Sequence, residues 1–438
     1  MSGVSEGSME AKPATGSAKS AQSAGGVKSA QSTRSAKSAQ STGSARSVQS
    51  AGGVKSAQTA EVLILGGGII GLSSAWEAAK RGFRVAVLEA EAFGGQASGA
   101  AAGMLAPFSE NPESPDAFFR LCADSHSRYP DWVRELEELT GHTAELRRSG
   151  SLNVAFHEAD FLSLRARLEW QSRYGSGFEL LGASELRRLE PELSERALGA
   201  LYCPGESHVF APKLVGAVEE ACRRAGVRLV AHAGGVTGLE RVAGAGVVVR
   251  TAGAGSWLAD RVVVCAGAWS GFVREWLSVD VPVHPIRGQI CAYDGKGDRI
   301  RHMIFTSQAY WVGKKDGSLV CGASEDVAGF ERSVTEQGIG RLTRWSGSAL
   351  PFLGDTSPSR GWAGLRPATL DGRPLIGSVP GVPELVLACG HYRNGILLAP
   401  ATAALVGDLL EGKIGENGYG NAFGIERFNF AGTRRGLG

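Results

Sequence analysis

Beyond residue 60 the chain alternates short apolar runs with glycine-rich turns and amphipathic stretches. Glu61-Val62-Leu63-Ile64-Leu65 has the length and apolar continuity of a buried strand, and Ile69 to Lys80 follows with the Ala-rich spacing of a helix. Val62 to Trp76 carries no charged side chain, yet three consecutive glycines and two serines interrupt it, and it falls short of the roughly 20 residues of a membrane span. The pattern predicts strand, turn and helix. A second apolar run, Val85-Ala86-Val87-Leu88, closes a β-α-β unit. Charge-rich helical spacing recurs from about 116 to 140, and Ala211 to Gly226 reads as an amphipathic helix with Pro212 in its first turn and Gly226 as its stop. Val227 to Val230 predicts a further strand of the same α/β layer. Alternating stretches at 288–293, 310–313 and 319–321 read instead as antiparallel strands.

The first sixty residues obey neither period. At 17–23, 26–32, 35–41, 44–50 and 53–59 one pattern, as in Ser17-Ala18-Lys19-Ser20-Ala21-Gln22-Ser23, returns every nine residues, with no aromatic, Leu or Ile in the segment. Nine residues make about two and a half helical turns and an odd strand count, so successive copies face opposite sides and stack no apolar face. A disordered, solvated tail over 1–60 is the expectation, with an organelle transit peptide and weak binding to an anionic surface as the competing readings of its basic, Ser/Ala-rich composition. The tail also distorts the charge. It holds seven Lys/Arg and two Glu, leaving the other residues with 39 basic against 42 acidic side chains of the chain's 46 and 44. A folded part of that balance is not a nucleic-acid binder by charge. Seven cysteines lie too far apart for Cys-x-x-Cys pairs, and the eight histidines never reach metal-ligand spacing with them. Neither a metal site nor a disulfide scaffold is expected, and a cytoplasmic location is.

Candidate chemistry starts where the repeats stop. Gly66-Gly67-Gly68-Ile69-Ile70-Gly71 is a Gly-x-Gly-x-x-Gly turn between a strand and a helix, the context in which it holds a dinucleotide. Gly66 permits the tight turn, Gly68 lets the backbone approach a pyrophosphate, Gly71 lets the helix pack close, and the helix N-terminus offers amides to the anion. Glu89, eighteen residues after Gly71, suits ribose hydroxyls and would repel a 2′-phosphate, which favours FAD or NAD over NADP. The small-residue stretch from Gly94 to Pro107, a strand-to-turn unit from Arg261 to Ser270 and the late stretch from Gly390 to Pro400 leave room for a bulky flat ligand. That choice points to FAD.

From about 61 to 412 the chain resembles the glycine oxidase branch of the D-amino acid oxidase and sarcosine oxidase flavoprotein family. The resemblance rests on the glycine turn, Ala100 to Pro107, Gly322-Ala323-Ser324-Glu325-Asp326-Val327, Ala363 to Gly377 and His391 to Pro400, the last two being the most specific. It implies an α/β fold in which a Rossmann-like FAD-binding domain (61–145, 205–280 and 355–438) is interleaved with a smaller antiparallel-sheet substrate domain (146–204 and 281–354). With Gly66, Gly68 and Gly71, the family's flavin contacts fall on Ile69, Ile70, Glu89, Ala90, Ala97, Ser98, Ala102, Gly103, Met104 and Val236. A last group is His391, Tyr392, Arg393, Asn394, Gly395, Ile396 and Leu397. The sarcosine oxidase relatives attach flavin through a cysteine in the stretch matching Gly364 to Asp371. None stands there, so the resemblance implies non-covalent FAD.

The resemblance also places Arg366 at the carboxylate-binding position, a role that suits a planar guanidinium because its fork matches a carboxylate bidentately. Arg393 matches a second substrate-contacting arginine and Tyr310 a hydroxyl near the carboxylate, although Gly313 stands where the family has a proline. No side chain is nominated as catalytic base. The implied mechanism passes a hydride from the substrate Cα to flavin N5, yields an imine that water hydrolyses, and returns two electrons to O₂ as hydrogen peroxide. His284, His302 and His391 therefore read as structural. The implied activity is oxidative deamination of glycine, to glyoxylate, ammonia and peroxide, or of another small amine, in the branch linked to thiamine thiazole formation. A D-amino acid oxidase or dehydrogenase of broader specificity and a partner-dependent flavin-binding subunit stay open, as does homo-oligomerisation.

Overall fold

The computed structural model describes residues 57–111, 115–413 and 418–428. The repeats up to residue 56, and with them the expectation of a disordered tail, lie outside the described residues. β1 (Gln58–Leu65), α1 (Ile69–Lys80) and β2 (Val85–Leu88) form the expected opening unit. Along β1, Val62 and Ile64 enter one core while Leu63 and Leu65 enter the other. A strand buried on both faces belongs inside a parallel sheet covered on each side, which is why its run reads as continuously apolar. Arg228–Val230, β2, β1, Gly255–Val264 and Val382–Cys389 lie parallel in that order, and Leu375–Val379 adds an antiparallel edge. A hairpin, Val236–Val242 with Gly246–Thr251, pairs onto Gly255–Val264.

Helices Ala117–Thr140, Ala211–Arg224 and Gly395–Leu410 pack with α1 over this sheet. Local signals set their ends. Asp116 accepts a hydrogen bond from the Phe119 amide (2.8 Å) at the start of the first, and Gly141 ends it at φ 74°. Pro212 sits in the first turn of the second, and Gly226 follows it at φ 76°. Among the described residues no helix is long and apolar enough to cross a membrane.

The second sheet has eight strands in the order Arg360–Thr369, Val283–Tyr293, Leu319–Gly322, Tyr310–Gly313, Met303–Phe305, Ser151–Ala155, Gly199–Cys203 and Glu179–Gly182. It departs from expectation twice. Met303–Phe305 and Ser151–Ala155 run parallel, so the sheet is mixed and only mostly antiparallel. The boundary expected at residue 355 also assigns Arg360–Thr369 to the wrong side. This strand pairs with Val283–Tyr293 along its whole length, from Thr369 opposite Val283 to Arg360 opposite Ala292. Pro367 is tolerated because the strand is an edge, and nothing local says which of two sheets an edge strand joins.

Candidate active site

A cavity of about 540 Å³ opens where the carboxyl ends of β1 and β2 meet the second sheet, the place where open α/β sheets bind ligands. At one end its wall is backbone. Gly66 takes φ 109°, and a Cβ there would stand 2.4 Å from the Cys265 carbonyl oxygen; at Gly71 a Cβ would stand 1.9 Å from the Gly66 oxygen. A side chain at Gly71 pushes α1 off the turn, and one at Gly66 drives the turn off the end of the neighbouring strand Gly255–Val264. Glu89 is held ready at the end of β2: Oε2 accepts from the Gly67 amide (2.7 Å) and Oε1 from the Glu91 amide (2.9 Å). Each oxygen keeps a lone pair for another donor. Ser98 Oγ accepts from the Ile69 amide (3.0 Å), tying the small-residue loop to the N-terminus of α1.

Of the residues expected at the cofactor, Gly66, Gly68, Ile69, Ile70, Glu89, Ala90, Ala97, Ser98, Ala102, Gly103, Met104, Val236 and His391 to Ile396 line the cavity. Gly71 stands behind the turn as a packing contact. Leu397 does not line the cavity either: its side chain faces the helical core, and its carbonyl accepts from Ser125 Oγ (2.7 Å). Pro400 has no amide to bond the Ile396 carbonyl, so the Tyr129 hydroxyl donates there instead, while Ser125 Oγ bridges the Leu397 carbonyl and the Ala401 amide (3.2 Å). Two side chains of the neighbouring helix thus repair the first turns of Gly395–Leu410, the helix that starts at the cavity.

The other end is lined by charged side chains. After the strand Val382–Cys389 the chain folds sharply through Gly390 (φ 73°) and Tyr392 (φ 47°), and the Tyr392 amide donates to the Pro367 carbonyl (2.8 Å). A tyrosine in the left-handed region is strained and persists because this clamp over-determines it. The clamp brings Arg393 beside the strand that carries Arg366. Arg366 Nη1 donates to the Ser324 carbonyl (2.9 Å), and its guanidinium occupies the space over Gly288, where a Cβ would come within 2.5 Å. Among the described residues Arg366 has no carboxylate partner. Arg393 has two, Glu110 Oε2 at 2.9 Å from Nη2 and Glu325 Oε1 at 3.4 Å from Nη1, and Glu110 holds its guanidinium above the ordinary arginine range.

Tyr310 also reaches this end. Burial pushes its phenol up, so the hydroxyl keeps its proton, and Gly322 leaves it room: a Cβ there would lie 2.3 Å from the hydroxyl oxygen. The departure at Gly313 has a steric cause, since a Cβ at that position would stand 2.2 Å from the Gly297 carbonyl oxygen. The nearby Lys314 was not anticipated. Its buried ammonium donates to the carbonyls of Ala102 (2.5 Å) and Val209 (2.9 Å), bracing the small-residue loop, and burial pushes its pKa down to about 7. Glu110 was not anticipated either, because Phe108-Ser109-Glu110-Asn111 carries no motif. His391 lies against Thr402 Oγ1 (3.0 Å) and is pushed down to about 3 by burial, so it is neutral. His302 pairs with Glu190 (2.6 Å) away from the cavity, and His284 is exposed.

The profile of the FAD dependent oxidoreductase family matches residues 61–409. The chain belongs to that family. As an FAD-dependent oxidoreductase it shares 32% identity over 367 residues with glycine oxidase of Bacillus licheniformis, covering 84% of this chain and 97% of that one. The crystal structure of glycine oxidase from Geobacillus kaustophilus matches at a TM-score of 0.78 and 32% identity, over 81% of this chain and 95% of that one. Iminodiacetate oxidase from Chelativorans sp. BNC1 matches at 0.73 and 26%, over 80% and 95%. The expected likeness to the glycine oxidase branch is borne out, and with it FAD-dependent oxidation of an amine or amino acid.

Proposed function

We propose that this oxidoreductase oxidises glycine, or another small amine with one carboxylate, to an imine that water hydrolyses, giving glyoxylate and ammonia from glycine, with O₂ taking the electrons as peroxide. The observation that carries the reading is Arg366, a guanidinium that faces the cavity and that no acid among the described residues neutralises. A substrate carboxylate supplies that partner. Tyr310, kept neutral by burial, adds a hydroxyl donor beside it. Together they turn the substrate so that its Cα hydrogen points along the cavity.

The residues at the other end fit FAD by their chemistry. Glu89 has lone pairs for ribose hydroxyls, the first amides of α1 suit a pyrophosphate, and the glycines and alanines of the turn and of 100–103 admit a flat ring at backbone distance. When bound, FAD supplies the two-electron acceptor. The chain offers no cysteine between Gly364 and Asp371, which supports non-covalent binding. All seven cysteines are buried and unpaired, which supports a cytoplasmic place of action.

The test is the absorbance of the yellow protein under anaerobic conditions with glycine, sarcosine, D-alanine and D-proline in turn. Bleaching by glycine at low concentration, followed by rapid recovery in air, is the expected result. A flavin that D-proline or D-alanine bleaches far more readily than glycine overturns the substrate, and one that O₂ fails to reoxidise overturns the acceptor.

A further inference from the structure

Glu110 has no part in that reading, yet it faces the same space as Arg366, Arg393 and Tyr310. Its side chain is 6% exposed, and among the described residues its carboxylate takes no hydrogen bond from any group but Arg393. A carboxylate buried to that degree needs a cation, donors or both. Arg393 supplies the cation at 2.9 Å, and acceptor sites of Glu110 beyond that contact stay open. Among the described residues the charges facing the substrate are therefore two guanidiniums and one carboxylate. Glu325, half exposed on the outer side, draws on Arg393 as well. One positive charge is left over, and it resides on Arg366.

We propose that Glu110 is a charge filter: by neutralising Arg393 it makes the cavity select amines bearing one carboxylate and reject those bearing two. The proposal rests on the reading that Arg366 fixes the first carboxylate. A secondary amine with two carboxylates, such as iminodiacetate, carries its second anion away from the first, toward the other arginine of the cavity. There it meets Glu110, whose own side chain is shielded from water, and two like charges beside such a group repel strongly enough to reorder substrate preference. Without the Glu110 charge, Arg393 becomes a second carboxylate site.

The experiment uses the FAD-bound full chain and Glu110→Gln, which keeps the side-chain size. Acetate and oxydiacetate, which have one and two carboxylates and no amine to oxidise, are titrated while the flavin absorbance is followed. The kcat/KM values for glycine and iminodiacetate are measured in parallel. In Glu110→Gln the oxydiacetate-to-acetate affinity ratio and the iminodiacetate-to-glycine kcat/KM ratio each rise at least about 100-fold, and adding Arg393→Met reverses the gain. Ratios that stay within about threefold of wild type, or a wild type that already binds oxydiacetate more tightly than acetate, overturn the filter. Should Glu110→Gln not retain flavin, Arg393→Met alone decides: it moves both ratios in the opposite direction by about tenfold or more, and no movement overturns the proposal. If glycine never bleaches the wild-type flavin but the affinity ratio still shifts, the substrate reading falls and the filter stands. Glycine bleaching with an unmoved ratio is the reverse case.

Discussion

At the nucleotide end of the cavity the wall is main chain: Gly66 and Gly71 set the turn by leaving no room for a Cβ, and Glu89 is fixed by two backbone amides. At the substrate end the wall is side chain, with Glu110, Tyr310, Arg366 and Arg393 arriving from four distant segments and held by charge and one strained turn. Steric fit of that kind is all or nothing. Charge balance can be altered in steps, so changes at the first end remove the cofactor or the fold, whereas changes at the second re-rank substrates.

The largest effect tests the steric end. Gly71→Val drives a branched side chain into the Gly66 carbonyl, and the purified protein is expected without flavin absorbance even when FAD is supplied. Next comes Arg366→Ala, which removes a contact of about 3 to 4 kcal/mol. It lowers kcat/KM for glycine by two to three powers of ten while the flavin spectrum stays intact. Arg393→Ala, whose charge Glu110 and Glu325 already balance, should lose far less than Arg366→Ala; equal losses would erase the difference between the two arginines. Glu89→Gln weakens FAD binding by about 1.5 to 3 kcal/mol, read as the dissociation constant of the apoprotein by flavin fluorescence.

The smallest effect concerns pH. His126, His208 and His391 are pushed down by burial to about 4, 2 and 3, so the native state excludes protons that the unfolded chain takes up below about 6.5. Their share of stability is complete above that pH and is lost as the pH falls toward the native values. Urea midpoints measured between pH 7 and 5 should drop, and His391→Asn should remove about 1.4 kcal/mol per pH unit of the slope.

How much of this was legible depends on range along the chain. The β-α-β unit and the glycine turn are written in thirty consecutive residues, where periodicity and glycine spacing carry the geometry. Arg366 and Arg393 stood out through motifs that resemble a family. Glu110 could not, since its meaning comes from Arg393, more than two hundred positions away, and from burial that no local pattern announces. The sheet assignment of Arg360–Thr369 failed for the same reason: its partner is Val283–Tyr293, and pairing register is a long-range property.

The proline at 400 carries a consequence for how this chain can change. Its missing N–H leaves the Ile396 carbonyl open, and the Tyr129 hydroxyl fills the place. An ordinary residue there would bond Ile396 within its own helix and leave the phenol to share the second lone pair of that oxygen, whereas Tyr129→Phe alone would orphan the carbonyl. Loss of the phenol is therefore tolerated only once position 400 carries an amide again, so the two positions, 271 apart in the sequence, are expected to change in that order.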